Sequence, residues 1–460
     1  MHKHLPNRLL AILTVLLILF PVMVNANIRI NEILASNATI NTDPDYANEA
    51  DWVELYNSGS TVVNLNGYYL TDNLNDPTKW RIETDLLLQP DGYVLVWCDD
   101  KATGLHTSFK LSASGEAFGV FSPDQTPLDT LLFGPQFTDV SYGRNPTNPD
   151  SWVFYTIPTP GAANGTTGFA GQVAHSPAFS VRGGVYTEPF SLLLSTNQGG
   201  LIRYTLDGST PTEESPAYTQ PLWIENTTVV RASVFQPGYI AGPIQTHSYF
   251  IGKDFSSGQL PLVSIVTDSL HFWGADRGIY VQNFKPEWEV PVNIELFENN
   301  GSNRAAFNER AGIKVNGLYS WKLPQKMLGV YFRKQYGSNQ LDYPLFFDRS
   351  RSSFDNFALR ASGSDWSYTL FRDGLIQQAC HQYNMDLENM AFRPAVVYVN
   401  GQYMGIHNIR EKVDEDYIAS NHGVEEGTFD LIENGDYVES GNLEAWNNYW
   451  SLVKKDLSIQ

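Results

Sequence analysis

Cysteine is nearly missing from this chain of 460 residues: only Cys98 and Cys380 occur. Two cysteines so far apart make no disulfide framework and offer no metal-ligand spacing, so each folded part must rest on its own core. Cys98 ends the strand-like run Tyr93-Val-Leu-Val-Trp-Cys98, where it reads as a small buried hydrophobe. Charge is sparse as well, at 17% of residues, and with 36 Gly and 25 Pro that excludes a coiled coil. Positive charge is the scarcer sign, with 30 Lys and Arg against 50 Asp and Glu, a formal net charge of −20. No basic run breaks this balance, so nucleic acid is excluded as the main partner. Only one long apolar run exists, Leu9 to Phe20, and it falls short of the ~18 residues that span a membrane. His2, Lys3 and Arg8 precede it and Val24-Asn25-Ala26 follows, the three-part pattern of a secretory signal with cleavage after Ala26. The expected mature protein is secreted or at the cell surface, with no transmembrane anchor.

What remains is rich in turn formers and aromatics, with 42% hydrophobic residues, which argues against disorder. From residue 27 to 163 short strand-like runs alternate with turns: Ile28–Leu34, Asp51–Tyr56, Gly92–Trp97, Phe118–Phe121 and Leu131–Phe133. An all-β sandwich is expected. The strings Ile30-Asn-Glu-Ile33, Asp51-Trp-Val-Glu-Leu-Tyr-Asn57, Leu65-Asn-Gly-Tyr-Tyr-Leu-Thr-Asp72 and Pro158-Thr-Pro-Gly-Ala-Ala-Asn164 resemble the lamin-tail domain of secreted bacterial proteins. That resemblance implies an immunoglobulin-like scaffold without chemistry of its own. The acidic group Asp43, Asp45, Glu49 and Asp51 lacks the spacing and the Gly of an EF-hand loop, and reads as a solvated loop. Asn37, Asn164, Asn226 and Asn300 begin Asn-x-Ser/Thr triplets, acceptors only in a suitable secretory pathway.

Residues 164–176 carry little charge and no periodicity and read as a linker. A second β unit is expected over 177–252, with Asp207-Gly208 as a hairpin-type turn. Its strings Tyr204-Thr-Leu-Asp-Gly-Ser-Thr-Pro-Thr212 and Thr228-Val-Val-Arg-Ala232 are similar to the C-terminal β-sandwich of chitobiase-type hexosaminidases. That module is an accessory elsewhere, and no partner carboxylate makes Asp207 a glycosidase acid.

After residue 258 the texture changes to a mixed α+β pattern. Strand-like runs occur at Leu260–Val266, Gly278–Gln282, Val290–Phe297, Arg310–Val315 and Lys326–Arg333. A helical pattern follows over Trp366–Tyr383, with Leu370, Leu375, Ile376 and Ala379 on one face. A hairpin is expected around Asn400-Gly401, and a further helix from Asp414. Strands, a lysine-bearing strand, a helix, a hairpin, a connector and a helix form the order of a protein-kinase N-lobe. Phosphoryl transfer needs a cation on the nucleotide phosphates, and Lys326 stands where one belongs. On residue pattern alone an exposed strand lysine is the plainer reading.

Pro324-Gln-Lys326, Leu359-Arg360, Ser364-Asp-Trp366, Phe371-Arg-Asp-Gly374, Asn400-Gly-Gln-Tyr-Met-Gly405 and Ile409-Arg-Glu-Lys-Val-Asp414 together resemble the spore-coat CotH kinase family. The resemblance runs from 258 to 460. It implies an atypical ATP-dependent kinase using Mg or another divalent metal and acting on Ser or Thr of an exported protein. Lys326 would hold the nucleotide, Glu411 would lie near the lobe connector, and Arg372 and Asp373 would sit on the helix behind the lysine strand. Two departures stand out. Trp321 replaces the family's Arg ahead of Pro-Gln-Lys, and no G-x-G-x-x-G cradle occurs. The family's late aspartate segments do not follow Asp414, so the catalytic residues are expected beyond Gln460 and the domain is expected to be incomplete and inactive as it stands. The fold expected is therefore two immunoglobulin-like sandwiches followed by an incomplete α+β kinase-like domain. The alternative is a non-enzymatic surface protein whose sandwiches bind glycan or envelope and whose kinase-like part is degenerate.

Overall fold

The computed structural model describes residues 28–252, 259–281, 288–317, 320–385, 387–433, 435 and 437–457. The expected signal, 1–26, lies outside them. Among the described residues, no helix is long and apolar enough to cross a membrane. The chain divides into two compact units, 1–168 and 169–460.

The first unit is the expected sandwich. Alternating strands build a sheet in the order Asn148–Tyr155, Ser141–Asn145, Ile28–Leu34, Trp52–Asn57 and Tyr93–Trp97. A second sheet runs Trp80–Arg81, Tyr69–Thr71, Glu116–Phe121 and Pro127–Phe133. Ile30, Leu55, Val96 and Cys98 from one meet Leu70, Phe118, Val120 and Leu131 from the other in a single dry core. Burial pushes the Cys98 thiol up, which keeps it an inert packing group.

Two carboxylates are also buried here. Glu32 accepts from Ser141 and, at 2.9 Å, from the Thr159 hydroxyl. Glu54 accepts from Asn31 Nδ2 at 2.7 Å and from the Gly161 amide. Asn31 also reaches Asn164 Oδ1 at 2.8 Å. The lamin-tail-like strings thus act as a polar clasp that ties the closing segment to the first two strands. Burial pushes Glu54 up to about 7 and raises Glu32 as well. Asn164 and Asn37 are buried, and the Asn37 amide is bonded to Ala50 O at 2.8 Å, so neither presents its side chain for glycosylation. The stretch read as a linker is tied down: Asn164 belongs to this core, while the Ala170 and Val173 amides bond Gly238 and Ile240 in the second unit.

The second unit joins a small sandwich to a barrel. The sandwich has the sheet Gly184–Tyr186, Gln245–Ile251, Thr228–Phe235 and Leu201–Thr205, whose first pair is parallel. Seven strands then close on themselves in the order Leu262–Val266, Val290–Phe297, Ala305–Asn316, Met327–Tyr331, Asn356–Arg360, Gln402–Arg410 and Phe392–Val399. Closure comes from parallel pairing of Leu262–Val266 with Phe392–Val399, which leaves no free sheet edge. Gly278–Tyr280 forms a turn rather than the expected strand, and Gln282 lies outside the described residues.

Sandwich and barrel share a seam. Val185 and Phe250 pack with Leu262 and Phe297. Ser248 and Ser264 hydroxyls meet at 2.8 Å, and the Asn308 side chain reaches Thr246 O at 2.8 Å. Both turn signals of the sequence meet at this seam. Gly208 (φ +87°) sits against Asn400 Oδ1 and Thr267 O, where a Cβ would collide with both.

The expected helix from Trp366 begins later, at Arg372, and ends at Gln382. Ser362 (φ 61°) and Leu370 (φ 66°) turn the backbone left-handed, and the Asp365 carboxylate draws the Thr369 and Arg372 amides into a compact turn. Its apolar face also differs from expectation. Leu375 and Ile376 are exposed, and the buried point of the helix is Gly374, pressed against the Phe392 ring. The helix therefore packs on the strand Phe392–Val399 and not behind the lysine strand. The hairpin over Asn400-Gly401 and the Asp414-capped helix Glu415–His422 form where the turn and cap residues place them.

Candidate functional site

Lys326 stands one residue before the strand Met327–Tyr331 and is buried. Its ammonium donates to the backbone oxygens of Trp321 and, at 3.4 Å, Leu323, and lies 5.4 Å from the Tyr280 ring centre. Burial lowers its pKa from the usual lysine range. Among the described residues no carboxylate pairs with it. It is a buried cation held by two carbonyl dipoles and an aromatic face, and that differs from the exposed strand lysine of the plainer reading.

Gln325 organises the surroundings of Lys326. Its Nε2 donates to Ile406 O at 2.6 Å and faces His407 Nδ1 at 3.0 Å. Its Oε1 accepts from the Trp366 indole at 2.9 Å. Gly405, at φ +103°, lies so close that a Cβ would press on the Gln325 amide. His407 is fully buried, and its Nε2 lies 3.2 Å from Lys326 O. Burial pulls its pKa down to about 4, so the ring is neutral, with Nε2–H donating to Lys326 O and Nδ1 accepting from Gln325. Three strings distant in sequence, Pro324-Gln-Lys326, Ser364-Asp-Trp366 and Asn400 to Gly405, thereby converge on one amide side chain.

The other expected residues lie apart from this group or are committed elsewhere. Asp373 forms ion pairs with Arg360 Nε at 2.8 Å and with the buried Arg410 at 2.7 Å. Arg372 is exposed and reaches the Asp365 carboxylate at 3.5 Å. Glu411 is buried; one oxygen accepts from the Ala391 amide at 2.8 Å and the other has no partner. Lys326 and Glu411 make no ion pair. Glu411 and Asp373 therefore do not form a metal-binding set, and no divalent metal is assigned to them. A further acidic group, Asp355, Asp414 and Asp416, gathers at the start of the helix Glu415–His422, where burial and the Asp416 carboxylate raise the Asp355 pKa above the usual carboxylate range. A cavity of about 600 Å³ opens along the seam, lined by Arg182, His247, Arg304, Glu309 and Arg310, and none of the expected residues borders it.

On sequence His407, with no metal spacing to His381, reads as ordinary surface or satisfied core, and the structure places it in the core. Arg410, readable as part of a solvated charge run, is buried, while Gln325 and Arg360 stand in the quoted strings without a role of their own. Gln325 was visible within its string beside the lysine. The others required the strand register that sets Arg360 beside Asn408 and Ala358 beside Arg410.

A β-barrel with a buried lysine at one strand's start, following two β-sandwiches in chain order, defines a multidomain β-rich protein with one mixed portion. Comparison with known families agrees in order along the chain. Residues 21–134 match the lamin tail domain, 181–246 the chitobiase/beta-hexosaminidase C-terminal domain, and 313–454 the CotH kinase protein family. No curated protein matches the chain. The barrel region is thus similar to the CotH kinase family, and it follows two segments similar to the lamin tail and chitobiase C-terminal domains.

Proposed function

We propose that the barrel domain binds ATP through Lys326 and belongs to an exported CotH-type kinase that transfers phosphate to Ser or Thr of an extracytoplasmic protein. What supports the reading is the state of Lys326: a buried ammonium, lacking an acidic partner among the described residues, next to an amide on which three CotH-like strings converge. A nucleotide phosphate would supply the negative charge that the protein does not. Gln325 and His407 would keep the strand start in place while Lys326 neutralises the phosphate. No metal ligand and no catalytic base is assigned. The test is binding of labelled ATP by these 460 residues, in which transfer itself is not expected, compared with Lys326→Ala. Binding that falls at least ten-fold in the variant supports the assignment; equal binding removes it.

The second reading, attachment to glycan or envelope through the sandwiches, rests on Trp223. Its indole is exposed and is oriented by a 3.2 Å bond to Glu225. Retention on insoluble glycan that Trp223→Ala abolishes would support it, and equal retention of the variant would remove it.

A further inference from the structure

The loop read as solvated does not behave as one. Asp43 is fully buried, whereas Asp45 is exposed. Its partners come from a different loop, the segment that follows the strand Tyr93–Trp97. There Trp97 and His106 bridge, with the Trp97 amide on Leu105 O at 2.9 Å and the Thr107 amide on Trp97 O at 2.8 Å. This folds His106, which is 1% exposed, back over Asp43 and Asp99.

The ring is surrounded by carboxylates. His106 Nδ1 lies 3.1 Å from Asp99 Oδ2 and 3.8 Å from Asp43 Oδ2, and Nε2 lies 3.2 Å from Asp45 Oδ2. Asp43 Oδ1 accepts from the Asp45 amide at 2.9 Å, but Asp43 Oδ2 is buried with no hydrogen-bond partner. One N–H at Nδ1 can satisfy only one of the two oxygens that face it. A carboxylate oxygen left buried and unpaired is strongly unfavourable. With Nε2–H donating to Asp45, the Nδ1 lone pair would face the same two oxygens, an arrangement that only a bound cation satisfies. A carboxylate behind a histidine is the usual outer partner of a metal-bound imidazole.

We propose that Asp43, Asp99 and His106 form a divalent transition-metal site, Zn²⁺ being the fitting ion, with Asp45 as its outer carboxylate. The three ligand atoms lie within 4.8 Å of one another, so side-chain shifts of a few tenths of an ångström would bring all three to about 2.0–2.2 Å from a shared cation. An imidazole nitrogen and only three protein donors favour Zn²⁺ over Ca²⁺, which takes six to eight oxygens. The fourth position is open to water or to a donor from a partner. The Tyr46 ring, edge-on to His106 at 5.0 Å, covers one side.

The test is titration of the chelator-stripped complete chain with Zn²⁺ against a chromophoric chelator. One equivalent should bind, and Asp43→Asn, nearly isosteric, should weaken it at least ten-fold. Asp45→Asn should weaken it about ten-fold, the usual effect of losing an outer partner. Because His106→Gln can unfold the loop, Co²⁺ provides a second measurement: its visible absorption should appear with the native chain and vanish in Asp43→Asn. Zn²⁺ binding equal in native chain and Asp43→Asn overturns the proposal. So does preference for Ca²⁺ over Zn²⁺.

Discussion

The indole of Trp366 donates to the side-chain oxygen of Gln325 at 2.9 Å across 41 positions of sequence, and the same amide's nitrogen serves Ile406 and His407. Gln325→Ala would strand a buried carbonyl and a histidine nitrogen as well as the indole N–H. A loss of about 2–3 kcal/mol is expected in urea unfolding of the second unit. Trp366→Phe leaves both bonds of the Gln325 nitrogen in place, and the lost indole hydrogen bond should cost less, about 1 kcal/mol. Equal effects from the two would show that Gln325 is not the hub.

His407 carries a pH dependence of definite sign. Its folded pKa, about 4, lies below the ordinary histidine value, so its contribution is complete above about 6.5 and is lost as pH falls towards 4. The loss is at most about 3 kcal/mol. Other buried acids titrate in the same unit, so the measurement is a difference: the stability–pH slope of the native chain should exceed that of His407→Gln between pH 4 and 6.5.

Glu54 has the opposite sign in the first unit. Its pKa is raised from 4.5 to about 7, so its contribution is fully present below about 4.5 and disappears as pH rises through 7. Glu54→Gln should lessen the decline in melting temperature of the first unit between pH 4.5 and 7, with an effect of up to about 3 kcal/mol. An unchanged slope would mean the clasp is ionised throughout.

Gly208→Ala tests the seam. The alanine would meet both Asn400 Oδ1 and Thr267 O at a positive φ, so relief requires the two turns to part. A cost of about 2–3 kcal/mol is expected. Sandwich and barrel should still melt together, which differential scanning calorimetry would report as one transition for this unit. An unaltered melting temperature would contradict the contact.

The architecture was legible where local chemistry decides it. Asn400-Gly401 takes its turn with both residues at positive φ (48° and 77°), and Asp414 caps its helix through the Tyr417 amide. The helix before that hairpin was misread because Asp365 gathers amides that the apolar period assigned to helical bonds. Leu375 and Ile376 obey the period yet face solvent, since the close approach is made by a glycine. Lys326 could be named from its string, but its burial depends on Tyr280 and on the carbonyls of Trp321 and Leu323. The acidic group near Asp43 was visible, whereas Asp99 and His106 join it only through the fold of a second loop. Barrel closure had no local signal, because parallel pairing of Leu262 with Val396 links segments more than a hundred residues apart.

The seam has a consequence for synthesis. Ribosomes deliver the small sandwich before the barrel exists, so Val185 and Phe250 emerge as an uncovered apolar face on a finished module. Leu262, close behind, is the first barrel residue able to cover it, and Phe297 is next. The barrel's opening strands thus meet a template already made, and closure waits for Phe392–Val399, the strand that seals the circle. Chains arrested before residue 392 should accordingly resist protease in the sandwich while the barrel strands remain cleavable. Equal cleavage of both would dismiss the template.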